Sequence, residues 1–251
     1  MAEALSSLPA ACGRLAAVAP GVWRAPAFDA PDLIHGFGGR GWSPEATAST
    51  LGLDPARLVR LDQVHGSAVL RVTAALARRL TPWPGFDAAI TDQPGAVLTI
   101  RTADCAPVGV YDEEHRVIGA AHVGWRGLAA ELPARLLAAL AQSWGTRPRH
   151  VRVVIGPAIG PCCYEVGEEF AARFPAWVRR DAGRLTLDLR AAIRDQLCCG
   201  GVPDAAIHDS GVCTACAVER FHSYRREGQA AGRCYFALAL TGQTSGAGCE
   251  R

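Results

Sequence analysis

Three residues with metal-binding or nucleophilic side chains are spread through the first half of the chain. They are His65 in QVHG, Cys105 in TADC and His122 in AHVGWRG. Imidazole and thiolate are ligands that zinc prefers, and three protein ligands with one open position are typical of a catalytic zinc site. Dispersed ligands leave no local signature. Spacing alone therefore favours three unrelated residues: a turn histidine, a buried thiol and a core histidine.

The same residues are compatible with other chemistries. Cys105 and His122 would suit a metal-independent hydrolase or deamidase, in which a thiolate attacks a carbonyl and the imidazole acts as base. Only the zinc site needs His65. A binding protein with structural zinc would need a fourth ligand, such as Cys162 or Cys163. A copper phenol oxidase would need many histidines with paired H-x-H motifs, and the seven histidines here include no such pair.

The remaining cysteines show weaker patterns. Cys213 and Cys216 form a C-x-x-C, but no second C-x-x-C completes a zinc ribbon. The two side chains of a vicinal pair are poorly placed to coordinate one metal ion, and this applies to Cys162–Cys163 and Cys198–Cys199. The preceding HDSG suggests a loop, which disfavours a thioredoxin-like motif. We therefore expect these side chains to be packed or accessory thiols.

Short strands joined by tight turns must position the candidate residues, and such turns favour antiparallel pairing of neighbours. If the strands beside Cys105 and His122 pair, their side chains meet at one sheet edge. Strands are predicted at 87–91, 96–100, 107–112, 116–123 and 233–240, another runs from 150 into a Gly-Pro loop, and helices are predicted at 134–145, 168–174 and 189–197. The pattern indicates an α+β fold, a single layered α/β domain over 1–251 with a mixed, largely antiparallel sheet. Residues 1–25 and 241–251 are expected to be mobile ends.

Composition narrows the function further. The 26 basic residues are all arginine and the 24 acidic ones leave a net charge of +2, too balanced to predict a nucleic-acid partner. The absence of lysine excludes lysine Schiff-base enzymes and P-loop nucleotide binding. The sequence has no apolar run of 18 residues, so no membrane span is predicted. The N-terminal residues lack the basic region of a secretion signal, so we expect a cytoplasmic location.

Several long motifs together resemble one protein family. They are LDQVHG, DAAITDQPGAVLTIRTADCAPVGVYD, GAAHVGWRGL, IGPAIGPCCYEVGEEF, LDLRAAIRDQL and HSYRREGQAAGR. The chain is similar, from about His35 to Leu240, to the YfiH/YlmD-like proteins, also called the polyphenol oxidase or laccase-domain family. The resemblance implies a fold similar to the catalytic fold of cytotoxic necrotizing factors. It also implies zinc ligands at His65, Cys105 and His122, in place of three unrelated residues.

The implied activity is that of a zinc-dependent purine nucleoside phosphorylase. Its substrates would be phosphate with adenosine, inosine, guanosine or 5′-methylthioadenosine, and adenosine deamination would be a second reaction in which metal-activated water attacks C6. Cys105 and His122 are the expected catalytic residues. Copper is the alternative metal.

Three arginines are expected to bind phosphate or substrate through their guanidinium forks, namely Arg40 in the glycine-rich HGFGGRG, Arg126 in GWRG and Arg225 in SYRR. From the residues alone, a flexible turn at 35–41 and a solvated helix end at Arg225 are the plainer interpretations. The chain departs from the family where Gly38–Gly39 replaces Ser-Thr and His222 replaces Phe.

Two carboxyl groups are candidates for the acid that protonates the departing purine. Asp104 lies next to Cys105, and Glu165 lies in the IGPCCYEVG motif. For Asp104, the role of a turn cap is the favoured interpretation.

Overall fold

The computed structural model describes residues 15–76 and 81–242. Of the ends expected to be mobile, 1–14 and 243–251 lie outside the described residues, whereas two strands form within 16–24. The strands are β1 (Ala16–Ala19), β2 (Val22–Arg24), β3 (Leu33–Gly38), β4 (Leu58–Val59), β5 (Val69–Val72), β6 (Ala88–Thr91), β7 (Val97–Thr102), β8 (Ala106–Asp112), β9 (Val117–Val123), β10 (Val151–Ile155), β11 (Val178–Asp181), β12 (Arg184–Leu187), β13 (Ile207–Asp209) and β14 (Cys234–Leu240). The α-helices are α1 (Pro44–Thr50), α2 (Trp125–Ala129), α3 (Leu132–Trp144), α4 (Glu168–Arg173), α5 (Leu189–Cys199) and α6 (Tyr224–Glu227).

Two six-stranded mixed sheets form the body of the fold. The first has the order β1-β2-β3-β14-β7-β4 and the second the order β13-β10-β8-β9-β6-β5. Most neighbours are antiparallel, and the parallel pairs are β4 with β7, β5 with β6 and β10 with β13. Strands β11 and β12 form a separate hairpin. The predicted α+β class with mixed, largely antiparallel pairing is confirmed, although the chain builds two sheets rather than one.

The two sheets stack face to face, and helices cover their outer faces. Phe236 of the first sheet shares a buried cluster with Ile118 of the second. Ala48 of α1 packs on the outer face of the first sheet, and Leu136 of α3 and Ile193 of α5 pack on the second. The layers therefore run helix, sheet, sheet, helix. The expected likeness to cytotoxic necrotizing factors stays a prediction.

Consecutive strands do not all pair as expected. Strands β8 and β9 pair antiparallel, but β7 joins the first sheet whereas β6 and β8 lie in the second. The side chains of β6 and β8 are buried along their whole length, as strands covered on both faces are. The short connections at 92–96 and 103–105 thus carry the chain between stacked layers. Cys105 lies in the second connection, which joins β7 of the first sheet to β8 of the second.

The glycine-rich segment 35–41, expected to be a turn, instead continues strand β3 as far as Gly38. A Cβ atom on Gly38 would lie 2.1 Å from Thr47 Oγ1, so close packing of helix on sheet requires the glycine. His35 is buried in this strand and accepts the backbone N–H of Ala25 at 3.0 Å. Burial lowers the pKa of His35 to about 4, so it is neutral in the core.

Gly109 of β8 packs closely against the facing sheet. A Cβ atom there would lie 2.8 Å from Phe236 Cζ and 2.9 Å from Val154 Cγ1. We expect Gly109→Ala to cost about 1–3 kcal/mol of stability, because overpacking displaces buried side chains, and thermal unfolding should show a lower Tm. Gly119→Ala is the control and should cost less, since its nearest neighbour is the flexible Leu136 Cδ1 at 3.0 Å. Equal Tm values for the two variants would contradict the conclusion that packing between the sheets requires glycine at position 109.

No helix within the described part of the chain has both the length and the apolar character that crossing a bilayer requires.

Candidate active site

The paired strands β8 and β9 bring together the thiol and one of the imidazoles expected to bind zinc. Cys105 directly precedes β8, and His122 lies opposite Pro107 near the end of β9. His65 reaches them from the loop between β4 and β5, where its backbone has a φ of 61°. The ligand atoms of His65, Cys105 and His122 lie within 4.8 Å of one another. Residues far apart in sequence thus form a group that can hold one metal ion.

A buried carboxylate orients two of these residues. Asp87 Oδ1 accepts the backbone N–H of His65 at 2.9 Å and lies 3.0 Å from His122 Nδ1. Its Oδ2 accepts the backbone N–H of Gly66 at 2.7 Å. A carboxylate in this position holds a proton on Nδ1 of His122 and leaves Nε2 for a metal ion. Sequence reasoning missed Asp87, since an aspartate at the start of a strand has no distinguishing local pattern.

The charges of this group depend on one another. Burial acts to raise the pKa of Cys105, but the imidazoles of His122 and His65 outweigh it and lower the pKa to about 6. Burial acts to lower the pKa of His122, whereas Asp87 and Cys105 raise it to about 9. Burial also acts to raise the pKa of Asp87, yet His122 and two backbone N–H groups hold it below its ordinary value. At neutral pH these shifts favour a thiolate beside an imidazolium.

Gly124 lets the metal-binding group and helix α2 approach each other. A Cβ atom at this position would lie 2.8 Å from Cys105 Sγ and 3.4 Å from His65 Cδ2. Gly124 is also the N-cap of α2, which then places Trp125 and Arg126 at the wall of the neighbouring cavity. The glycine in GWRG is therefore required by space beside the cysteine.

A cavity of about 580 Å³ opens over His65, Cys105 and His122. Its size is typical of a site for a small organic ligand. Three aromatic rings and four guanidinium groups dominate its wall. The lining residues are Gln63, His65, Arg101, Thr102, Ala103, Asp104, Cys105, His122, Gly124, Trp125, Arg126, Ile159, Tyr164, Leu189, Tyr224, Arg225 and Arg233.

The cavity wall carries four arginine side chains. They are Arg101, Arg126, Arg225 and Arg233. No carboxylate among the described residues lies within ion-pair distance of any of them. Three donate only to backbone carbonyl oxygens, and Arg126 lies 4.4 Å from the ring centroid of Trp125. Such guanidinium groups favour an anionic ligand.

The structure does not bring Arg40 to this cavity. Its Nη1 donates to Glu227 Oε1 at 2.7 Å and lies 3.2 Å from His222 Nδ1. A Cβ atom on Gly39 would lie 2.2 Å from the carbonyl oxygen of Arg220, so that position is packed against backbone. The departures from the family pattern at Gly38–Gly39 and His222 therefore lie outside the residues that line the cavity.

The two candidate acids have different surroundings. Asp104 lines the cavity, but its carboxylate accepts bonds from Thr214 Oγ1 at 2.6 Å, Ser223 Oγ at 3.1 Å and the Arg225 backbone N–H at 2.7 Å. Asp104 thus caps the start of α6 by holding the backbone of Arg225, in agreement with the favoured interpretation of a turn cap. The Glu165 side chain is paired with Arg184 and is not among the lining residues. Neither carboxyl group is positioned as a free acid.

Arg101 and Arg233 were missed by sequence reasoning. Arg101 is the one exposed residue of β7, and a charged residue interrupting an apolar strand was the available signal. Arg233 directly precedes β14, whose residue Cys234 lies opposite Thr102 in β7. Pairing across two distant segments brings them to one wall, and no local pattern reveals that.

No further His, Cys, Asp or Glu side chain in residues 15–76 and 81–242 joins the group of His65, Cys105 and His122. Cys162 and Cys163, the expected candidates for a fourth ligand, belong to a separate group. The arrangement therefore offers three candidate protein ligands beside a cavity, which is the pattern of an open rather than a closed metal site.

Fold and site together define a class of protein: two stacked mixed sheets carrying a cavity with two histidines and one cysteine that could hold a metal ion. The family described as "Multi-copper polyphenol oxidoreductase laccase" matches residues 43–241 of this chain. The chain belongs to this family, which comprises the YfiH/YlmD-like proteins that its motifs resemble.

Individual relatives agree with this assignment. A Deinococcus radiodurans protein named purine nucleoside phosphorylase is 39% identical over 201 residues, which cover 77% of this chain and 74% of that protein. The purine nucleoside phosphorylase YlmD of Geobacillus stearothermophilus is 34% identical over 204 residues, which cover 74% and 73%. The crystal structure of Bacillus licheniformis hypothetical protein YfiH superposes with a TM-score of 0.82 at 27% identity, over 90% of this chain and 99% of that one.

Proposed function

We propose that the protein is a zinc-dependent purine nucleoside phosphorylase of the cytoplasm. Its substrates are phosphate and adenosine, inosine, guanosine or 5′-methylthioadenosine, and it also deaminates adenosine. The observation that carries the proposal is the cavity in which a two-histidine, one-cysteine group faces arginines without carboxylate partners. The names of the Deinococcus and Geobacillus relatives support the same activity.

In phosphorolysis, a phosphate oxygen forms a bond to C1′ of the ribose while the bond from C1′ to the purine nitrogen breaks. The electron pair of that bond leaves with the purine, which takes up the proton that hydrogen phosphate gives up on forming the ester. Arg126 and Arg225 offer paired N–H donors that hold the phosphate beside the developing positive charge on the ribose. Trp125 and Tyr164 provide aromatic surface against which a purine can pack.

His65, Cys105 and His122 would hold the zinc ion. The donor set fits, since two imidazoles and a thiolate are common zinc ligands and Asp87 keeps Nε2 of His122 available. When bound, zinc supplies a Lewis acid with an open position. Copper is the alternative metal. Only two of the histidines belong to this group, fewer than a multicopper centre uses.

Product identification tests the proposal directly. The purified protein is given adenosine with and without inorganic phosphate, and the products are separated by chromatography while its metals are measured. Adenine with ribose 1-phosphate indicates phosphorolysis, and inosine in either condition indicates deamination. The absence of both reactions from zinc-loaded protein would refute the proposed function, and turnover that follows copper rather than zinc would replace the metal.

Arg126→Lys tests the assignment of phosphate binding. Lysine keeps the charge but lacks the guanidinium fork, so we expect KM for phosphate to rise about tenfold, the equivalent of about 1.4 kcal/mol. Steady-state kinetics at varied phosphate concentration measure this rise. The control is Arg135→Lys in α3, where the guanidinium donates only to the Ala130 carbonyl oxygen. An unchanged phosphate dependence would remove Arg126 from this role.

A metal-independent Cys–His hydrolase or deamidase is the second candidate. The lowered pKa of Cys105 and the raised pKa of His122 favour it, since they produce a thiolate and an imidazolium. His65→Ala separates the two mechanisms, because the dyad does not need this imidazole as a ligand. Full turnover by metal-free His65→Ala would favour the dyad, whereas joint loss of zinc and turnover favours the metal site.

A further inference from the structure

Four cysteines that the sequence places in two separate motifs meet at one point of the surface. They are Cys162, Cys163, Cys213 and Cys216, and their Sγ atoms all lie within 4.8 Å of one another. Cys216 Sγ is 3.6 Å from Cys162 Sγ and 3.4 Å from Cys163 Sγ. The vicinal pair and the C-x-x-C therefore form one cluster, an arrangement that the expectation of packed or accessory thiols did not include.

Apolar packing does not account for this cysteine cluster. Cys162 and Cys216 are exposed, and Cys163 and Cys213 are only partly buried. By contrast, Cys234 is a buried thiol in a strand and fits the role of a small apolar residue. Four thiols gathered at the surface at such short distances indicate a ligand that they share.

The spacing fits a tetrahedral tetrathiolate site. A zinc–sulfur bond of about 2.3 Å places the four sulfur atoms of such a site about 3.8 Å apart. The sulfur contacts of Cys216 and the common limit of 4.8 Å agree with these dimensions. Since all four positions would be filled by protein sulfur, the site is closed, which is the pattern of a structural metal.

The backbone beside the cluster supports a thiolate at Cys213. The N–H of Gly160 donates to Cys213 Sγ at 3.2 Å, a bond that stabilises negative charge on sulfur. A Cβ atom on Gly160 would lie 3.3 Å from Cys162 Sγ, so glycine leaves room for both thiols. The two segments are also joined directly, because the N–H of Thr214 donates to the Ala158 carbonyl oxygen at 3.1 Å.

We propose that Cys162, Cys163, Cys213 and Cys216 bind a second, structural zinc ion, distinct from the ion at His65, Cys105 and His122. Binding replaces up to four S–H bonds by zinc–sulfur bonds and releases the protons to solvent. No redox step is involved. The proposal does not depend on the catalytic reaction, since it concerns a different set of ligands.

The position of the cluster explains what such an ion would do. Tyr164, which follows the vicinal pair, lines the active-site cavity. Thr214, within the C-x-x-C, donates its hydroxyl hydrogen to Asp104, which in turn holds the backbone of Arg225. A metal joining the two loops would therefore fix one wall of the cavity without touching the reacting atoms.

Metal analysis of the full-length protein, purified under reducing conditions with zinc in the medium, tests the proposal. We expect two zinc ions per chain in the parent protein and one in either Cys105→Ala or the double variant Cys213→Ser/Cys216→Ser. The control is Cys198→Ser/Cys199→Ser, which removes the other vicinal pair and should retain both ions. The double variant should also have a lower Tm than the parent protein, because metal binding contributes to folding stability.

X-ray absorption spectroscopy of Cys105→Ala keeps the test decisive if the double variant fails to fold. The zinc that remains in Cys105→Ala should have four sulfur ligands at about 2.3 Å. No metal in Cys105→Ala, nitrogen or oxygen in the coordination shell, iron in place of zinc, or disulfides among the four cysteines would each overturn the proposal. If the parent holds one zinc that Cys105→Ala retains, the catalytic metal assignment fails while the structural site stands.

Discussion

Replacing Cys105 by alanine is expected to remove one zinc ion per chain and to lower kcat/KM for phosphorolysis by about 10³-fold. Sγ of Cys105 lies within 4.8 Å of the ring nitrogens of His65 and His122, with which it would share the metal ion. A Lewis acid contributes several kcal/mol to charge stabilisation, and about 4 kcal/mol corresponds to about 10³-fold in rate. Metal analysis and steady-state kinetics on the same preparation measure both effects.

The fold should survive this substitution. Cys105 lies at the cavity wall in a connection between strands, so alanine removes one atom next to open space rather than from a packed layer. The matched control is Cys198→Ala, a partly buried thiol at the end of α5. It should keep both metal and activity. Full phosphorolysis by Cys105→Ala that has lost this zinc would exclude the proposed metal mechanism, whatever the state of the other cysteines.

The elements that support the site were largely predictable from sequence. The apolar segments 107–112 and 116–123 and the turn between them predict a hairpin, and that hairpin exists as β8 and β9. It alone brings Cys105 and His122 to one edge. The prediction of the ligands as a set came from motif resemblance, because no local period connects His65 with the other two.

What the sequence could not predict is where layers and loops meet. Strands β7 and β8 are close in sequence and both apolar, yet they lie in different sheets. The sequence does not reveal this, because a strand buried on both faces has the same apolar pattern whether the next strand pairs with it or stacks on it. The glycines around Gly38 suggested a turn, whereas Gly38 is needed for close packing against Thr47. The sequence does not show this need, because Thr47 lies in a different element. The cysteine cluster was missed for the same reason, because each motif supplies only half of the ligands.

The second large effect is expected at Asp87, whose carboxylate contacts His65 and His122. Asp87→Asn should weaken zinc binding at the catalytic site by about 10–100-fold, the usual cost of losing a carboxylate behind a histidine ligand. Titration of the zinc-depleted protein against a competing chelator measures this change. With saturating zinc, much of the activity should return, because His65, Cys105 and His122 are all still present.

Asp87→Asn should also reduce stability. The carboxylate is fully buried and accepts the N–H groups of His65 and Gly66 as well as facing His122 Nδ1. An amide has one accepting oxygen, so its NH₂ group must face a donor, and an unsatisfied buried group costs about 1–3 kcal/mol. A loss of stability alone would therefore not establish a role in metal binding.

Asp112 provides a control that separates the two effects. Its carboxylate is equally buried, accepts the backbone N–H groups of Glu114 and His115, and lies 2.7 Å from His115 Nδ1. Asp112→Asn should thus lower Tm by a similar amount without changing zinc affinity, because His115 is not part of either metal-binding group. If both variants weaken zinc binding equally, general destabilisation explains the loss, and Asp87 has no specific part in orienting His122.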